Sequence, residues 1–468
     1  MDLMLYPKEW LTVECSDYVL DAKSDIVDGP FGSNLKATEY QDEGVPIVRI
    51  QNVKRFNFID KNIRYLTVEK SEELARHSFK AGDILITKLG EPLGLACEVP
   101  TSYEYGIIVA DLVRMRPNIS VCSTSFLIYL LNSEVVIKQI KAHVKGTTRA
   151  RINLSVIREL KLPLPPLAEQ KIIADKLDTL LAQVESIKAR LERITEILKQ
   201  FRQSVLAAAV SGKLTEEWRE EQQLVNWATT TLDSLILESA NGLSKRTGVS
   251  GDEVTILRLA DFKDAGRVHG NERVIKLDEK EKKKYALEKG DILIIRVNGS
   301  VDLAGRFIEY TPCDKMEGFC DHFIRIRLDT SRVNSTYLTY VANYGDGRHY
   351  LKNSLSTSAG QNTINQGSIK GLKLLLPSIQ EQELIVSRVS DLFQYTVVIE
   401  EQVQSAFDRV NNLTQSILAK AFRGELTAGW REANTDLISV ENSAEALLER
   451  IKAERSAKHA PKRGRDKA

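Results

Sequence analysis

Short stretches rich in Arg, Lys, Asn, Gln, Ser and Thr stand out first. They occur as two matching sets of three. GPFGSNLK from Gly29, the segment Lys88 to Glu91, and GTTRARIN from Gly146 form one set. NGLSKRTG from Asn241, RVNGS from Arg296 and SAGQNTIN from Ser358 form the other. These side chains offer donors and acceptors for base edges and phosphates, which is what reading a duplex requires of loops on a rigid scaffold. The candidate contacts in the first set are Phe31, Ser33, Asn34, Lys36, Lys88, Glu91, Thr148 and Arg149. In the second they are Ser244, Lys245, Arg246, Arg296, Asn298, Ser300, Gln361 and Asn362. Taken singly, each stretch reads equally as an ordinary turn, and Asn298-Gly299 in particular as a tight one.

Covalent chemistry finds no foothold. The chain has no GxxxxGK[ST] phosphate loop, no HExxH, no GxSxG and no Asn/Asp-Pro-Pro-Tyr/Phe tetrapeptide. Its 6 histidines lack ligand spacing, and its 5 cysteines (Cys15, Cys97, Cys122, Cys313, Cys320) form no CxxC, so they read as reduced cytosolic thiols. Neither catalytic nor metal-binding residues are expected. DEKEKKK from Asp278 carries a superficial nuclease-like Glu-x-Lys element and reads as a solvated face.

The elements that would position the loops are written twice. RQSVLAAAVSGKLTEEWRE from Arg202 returns 212 positions on as TQSILAKAFRGELTAGWRE from Thr414. At the same offset Glu169-Gln170 matches Glu381-Gln382, and Ile152-Asn153 matches Ile364-Asn365. GDILITK from Gly82 pairs with GDILIIR from Gly290, PIVRIQNV from Pro46 with TILRLADF from Thr255, and Trp10 and Trp227 open the two copies. Each copy is therefore a variable head followed by a better-preserved arm, which predicts a pseudo-twofold molecule.

Both arms carry a heptad beat. In the first it runs Ile173, Leu177, Leu180, Val184, Ile187, Leu191, Ile194, Leu198, Phe201, Val205. In the second it runs Ile385, Val389, Leu392, Thr396, Ile399, Val403, Ala406, Val410, Leu413, Ile417, with Thr396 and Ala406 as weak positions suited to a polar contact or close approach. Pro165-Pro166 and Pro377 start the helices, and Gly212 and Gly424 end them. Each arm could instead pack across its own globular domain; if the arms pair within one molecule, chain order makes the pairing antiparallel, and the arms act as a spacer between the heads.

The heads read as mixed α/β. PIVRI, GDILITK and LVRMRP in the first, and TILRL, GDILIIRV and FIRIRL in the second, are short strands with charge at alternate positions. SFLIYLLNSEVVIKQIKAHV from Ser125 predicts one helix, and STYLTYVANY from Ser335 takes its place in the second copy. The first loop of each set is expected to follow an opening helix. The fold class is therefore α+β: two mixed α/β recognition domains separated by two long antiparallel coiled-coil helices. The divisions fall at 1–163, 164–222, 223–376, 377–432 and, for a C-terminal helix and basic tail, 433–468.

Composition agrees. The 468 residues are 43% hydrophobic and 28% charged, with net charge +1, so any DNA-binding face is locally rather than globally basic. The start reaches acidic and polar residues too soon for a signal peptide, and no apolar run is long enough to span a bilayer. A cytoplasmic location without a membrane is expected.

At the arms the sequence resembles a known family. LPLPPLAEQKIIADKLDTLLAQVESIKARLE from Leu162, VNNLTQSILAKAFRGELTAGWREANTDLIS from Val410 and ENSAEALLERIKAERSA from Glu441 are similar to the conserved regions of type I restriction enzyme specificity subunits of the enteric type IA group. The heads keep the family outline of an opening Trp, GDIL and Ile-Asn, and otherwise diverge. The resemblance implies that each head reads one half of a bipartite, asymmetric site in double-stranded DNA. It implies that the arms carry two modification subunits and recruit two restriction subunits. It assigns no cofactor to this chain: S-adenosylmethionine for adenine-N6 methylation, and ATP and Mg²⁺ for translocation and cleavage, would sit on the partners. The competing readings are a coiled-coil adaptor without sequence-specific DNA binding and a self-contained methyltransferase or nuclease.

Overall fold

The structure is a computed structural model. It describes residues 6–459 apart from 91, 145–150, 225–226, 249, 264–265 and 271. Thr148, Arg149, Glu91 and the basic C-terminal tail after 459 lie outside the described residues. No helix among the described residues is long and apolar enough to cross a membrane.

The chain divides into two compact units. One comprises 1–191 and 406–468; the other is the continuous stretch 192–405. Each unit is built from the same parts.

In the first unit, strand Leu11–Glu14 pairs antiparallel with Lys161–Leu164, so the start of the head lies beside the strand that feeds the long helix. An antiparallel four-stranded sheet has the order Ile26–Asp28, Leu112–Met115, Ile84–Thr87, Ala96–Glu98. A second sheet, Arg64–Leu66, Val45–Val48, Gly106–Ile108, Ser78–Phe79, contains one parallel pair.

The second unit repeats this plan. Ala228–Thr231 pairs with Lys373–Leu376. The four-stranded sheet is Ile236–Asn241, Phe323–Leu328, Ile292–Ile295, Phe307–Glu309. The mixed sheet is Arg273–Leu277, Asp252–Leu257, Glu317–Phe319, with its parallel pair at the same place. The internal repeat inferred from scattered identities thus extends to strand order.

The expected single helix from Ser125 is two, Thr124–Leu131 and Glu134–His143. Asn132 interrupts it. Its amide exchanges two hydrogen bonds with the backbone of Ala96, at 3.2 and 2.8 Å, satisfying an edge strand that the sheet leaves open. Asn343 does the same for Phe307 in the other unit, at 2.9 and 2.8 Å. The expected opening helix is also corrected. In the first head it is one turn, Ala22–Asp25, followed by a strand. In the second head a 3-10 turn, Leu232–Leu235, precedes strand Ile236–Asn241. The first loop therefore leaves a strand in both.

Charge at alternate strand positions does not mean charge in water here. Arg114 is 3% and Arg325 0% exposed. Each stands on a central strand whose second face is also covered. Arg325 is held by the carbonyls of Lys284 and Ala286 and by Glu238, the pairing that a buried cation requires.

The long helices are Leu167–Val210 and Ile379–Phe422, each 44 residues or about 66 Å at 1.5 Å per residue. Ile173, Leu177, Val184, Leu198 and Val205 of the first seam are buried, as are Ile385, Val389, Val403 and Val410 of the second. Each contributes about 1.5–3 kcal/mol gross. Within the second unit the helices run antiparallel: Arg202 donates to Thr396 Oγ1 at 2.9 Å and grips Glu400 at 2.8 and 2.9 Å, while Arg388 reaches the carbonyl of Leu214 at 2.6 Å. Thr396 thus makes the polar contact its weak seam position suggested.

The seam is not buried throughout. Ile187, Phe201, Ile399 and Leu413 are each 40% exposed. They are equivalent pairs 212 positions apart, so the gap belongs to the repeat. A strict heptad drifts about 20° per repeat around a straight helix, which carries some seam residues out of a two-helix contact.

Candidate nucleic-acid interface

Each head rests on a polar anchor at the start of its long helix. In the first unit Glu169 is fully buried and accepts hydrogen bonds from Trp10 Nε1 at 2.7 Å and Thr427 Oγ1 at 2.6 Å, with Arg431 as its ion-pair partner. In the second unit Glu381 accepts from Trp227 Nε1 at 3.0 Å, Thr215 Oγ1 at 2.7 Å and Arg219 Nε at 3.0 Å. Both arginines lie over the indoles, at 5.7 and 5.2 Å. Gly424 and Gly212 end the opposite helix with φ of +76° and +80°, and their carbonyls accept from the same arginines at 2.9 and 2.5 Å. A Cβ at Gly424 would stand 2.3 Å from Pro7, so glycine is required there by space as well as by φ, while at Gly212 it would press on Trp227 at 3.1 Å. Each head is therefore completed by the end of the helix that belongs to the other copy.

On this base the polar loops meet, all three in the first head and the second and third in the second head. In the first head Lys88 is not a surface cation. It is 3% exposed, pairs with Asp28 at 2.6 Å and lies 4.6 Å from the centre of the Phe31 ring. Lys88, expected as a DNA contact, stands here as a brace: its strand ends inside the head, and its ammonium ties the second loop to the first. The third loop joins them where Ile152 N donates to the Lys88 carbonyl at 3.1 Å and Leu89 bridges to Arg151. Phe31 is 53% exposed, Ser33 and the exposed Asn34 lie in the 3-10 turn Gly32–Asn34, and the exposed Lys36 caps the next turn, Ala37–Glu39.

The second head makes the same junction: Ile364 N donates to the Arg296 carbonyl at 2.9 Å. Strand Val297–Asn298 pairs with Gln361–Thr363, which pairs with Ser356–Ser358, so the second and third loops form one small polar sheet. Its turn uses Ala359 at φ +46° and Gly360 at +75°. Ser300 and Gln361 are exposed. Asn298 accepts from Ser300 N at 2.8 Å, the tight-turn role, and Arg296 donates to the Asp321 carbonyl at 3.1 Å rather than to a carboxylate. Asn362 is 5% exposed, held by Gly299 O at 2.9 Å and Thr357 Oγ1 at 2.7 Å. It shapes the sheet and does not project from it. Lys245 is paired with Glu281 at 2.5 Å, whereas Ser244 and Arg246 are exposed.

Sequence reasoning passed over a cavity beside this first loop. Ser244 and Arg246 line it with Arg258, Arg273, Cys320, Asp321 and His322. No spacing signals it, because strand pairing brings Arg273 opposite Ile256. Cys320, Asp321 and His322 hold three ligand-type atoms within 4.8 Å of one another. The four buried thiols are poorly suited to nucleophilic work: burial pushes Cys15, Cys97 and Cys122 up to about 12 and raises Cys320 as well.

The family described as "Type I restriction modification DNA specificity domain" matches residues 32–196 and 253–406, one stretch beginning in each head. The chain is 49% identical to the type I restriction enzyme StySPI specificity subunit of Salmonella potsdam, over 99% of both chains. It is 38% identical to the EcoKI specificity subunit of Escherichia coli K12, over 92% of both. Among solved structures, one of a type I restriction–modification complex superposes with a TM-score of 0.63 at 18% identity, covering 90% of this chain and 99% of that one. The HsdS subunit from Thermoanaerobacter tengcongensis gives 0.55 at 19%, covering 90% and 98%. These two share the fold. With both halves matched by the family and near-complete alignment to its members, the chain belongs to the type I restriction–modification specificity subunits.

Proposed function

We propose that this subunit reads double-stranded DNA with its two heads, one half of a bipartite asymmetric site each, and has no catalytic role of its own. The observation that carries the reading is the meeting of polar loops far apart in sequence, three in the first head and the second and third in the second head. Phe31, Asn34 and Lys36 in the first head, and Ser244, Arg246, Ser300 and Gln361 in the second, are the exposed side chains offered to the duplex. Lys88, Asn298 and Asn362 hold the loops in shape.

The long helices assemble the rest of the enzyme. Ile197, Phe201, Tyr395, Val398 and Ile399 are between 40% and 69% exposed on the helices of the second unit. Apolar residues grouped in this way suit a protein partner. Two modification subunits and two restriction subunits are the partners in this reading, in the cytoplasm. S-adenosylmethionine for adenine-N6 methylation, and ATP and Mg²⁺ for cleavage, belong to those subunits.

Selection from a random-sequence duplex library by the complex with modification subunits tests this. Two short fixed blocks separated by an unread spacer are expected. Exchanging residues 1–160 for those of another family member should change one block only. Binding without sequence preference would favour the adaptor reading, and simultaneous change of both blocks would refute independent heads.

A further inference from the structure

The cavity of the second head is lined by three arginines and a histidine. Arg246 is exposed and Arg273 half-buried, and neither has a carboxylate within ion-pair distance among the described residues. Arg258 is held in a fork by Asp261, at 3.3 and 3.1 Å, so its guanidinium is fixed in place. His322 stands 3.3 Å from Asp321, the acidic group of the lining. Ser244 adds a hydroxyl.

The first head has the corresponding backbone but neutralises the site. Arg64 lies opposite Ile47 as Arg273 lies opposite Ile256. Arg64, however, is paired with Asp42. Gly29 packs against the backbone of Val109 as Gly242 packs against that of Cys320, which places Val109 and Asp111 where the second head has Cys320 and His322. Asp111 is itself tied to Arg151.

We infer that Arg246, Arg273 and His322, with Ser244, form a phosphate-binding pocket for the DNA backbone in the second head, without an equivalent among the described residues of the first. The inference rests on the DNA-reading proposal above. Two arginines without carboxylate partners favour an anion over a cation, although Cys320, Asp321 and His322 could ligate a metal. A phosphate contact positions the duplex without reading it, so the pocket would fix the register of the Gln361 hairpin over its half-site.

The test uses the complex of full-length chain with modification subunits, on the duplex selected from the library and on a scrambled duplex. Arg273→Gln and Arg246→Gln should each weaken binding to both duplexes by the same factor and lower the salt-dependence slope by about one unit. Arg273→Lys should restore the slope, and Arg64→Gln should leave it unchanged. Thermal unfolding of each variant checks the fold. A folded Arg273→Gln protein with the wild-type slope would overturn the pocket while DNA reading stands. A loss confined to one base pair would make Arg273 a base reader instead. Binding that falls on chelation and returns with zinc would assign the cavity to a metal. If the wild-type complex selects no sequence, it is the DNA-reading proposal that fails.

Discussion

The indole of Trp10 donates to Glu169 at 2.7 Å across 159 positions of chain, and both are buried. Glu169 also serves Thr427 and Arg431, so three donors depend on one carboxylate.

Removing that carboxylate should be among the costliest single changes. Glu169→Ala strands a buried guanidinium, a hydroxyl and an indole N–H, at about 3–5 kcal/mol. Glu381→Ala should do the same to the other unit. Hydrogen exchange is expected to show lost protection in the unit that carries the change and native protection in the other.

Phe422 is fully buried and meets Phe126 edge-on at 5.6 Å. Its counterpart 212 positions earlier is Val210, which lines an open groove with Tyr344, Gly345 and Leu374. Phe422→Val should destabilise by about 2 kcal/mol through lost packing. Val210→Phe should stabilise by about 0.5–1 kcal/mol by filling space that the other unit already fills. Denaturation midpoints that move in opposite directions are the expected result.

In the proposed reading, the hairpin of the second head separates a reading residue from a shaping one. Gln361→Ala should relax one position of one half-site by about 1–3 kcal/mol and leave stability unchanged. Asn362→Ala should instead loosen the hairpin and weaken discrimination across several adjacent positions. Single-mismatch duplexes measured against both variants distinguish the two effects.

Lys88 gives the same contrast in the first head. Lys88→Ala leaves Asp28 without its cation and should cost about 3 kcal/mol, measured by chemical denaturation. Replacing both, Lys88→Met with Asp28→Leu, should recover much of that stability, because two apolar side chains need no partner.

The period-3.5 and period-2 patterns made the long helices and three strands of each head legible, and the 212-residue offset made the repeat legible. What pattern could not supply was depth. FIRIRL alternates as a half-exposed strand does, yet Arg325 lies inside, covered by the segment that carries the Lys284 and Ala286 carbonyls. Lys88 and Arg296 occupy the same place after GDIL, and only the structure shows one ammonium buried on Asp28 and one guanidinium on a carbonyl. The arginine cavity was invisible because Arg258 and Arg273 become neighbours by strand pairing. Asn132 and Asn343 looked like interior residues of helical runs. Their role depends on edge strands about 36 positions upstream.

The discontinuity of the first unit sets an order of events during synthesis. Residues 192–405 form the second unit as one continuous stretch, so all of its residues have been made before the first unit is complete. The first head emerges earlier but stays unfinished, because Thr427, Arg431 and the helix that carries Arg455 to the Val19 carbonyl are made last. A nascent or prematurely stopped chain should therefore hold a finished second reader and an open first one. Half of the target site would be readable before the other, and a chain cut short at its C-terminus would lose the head at its beginning.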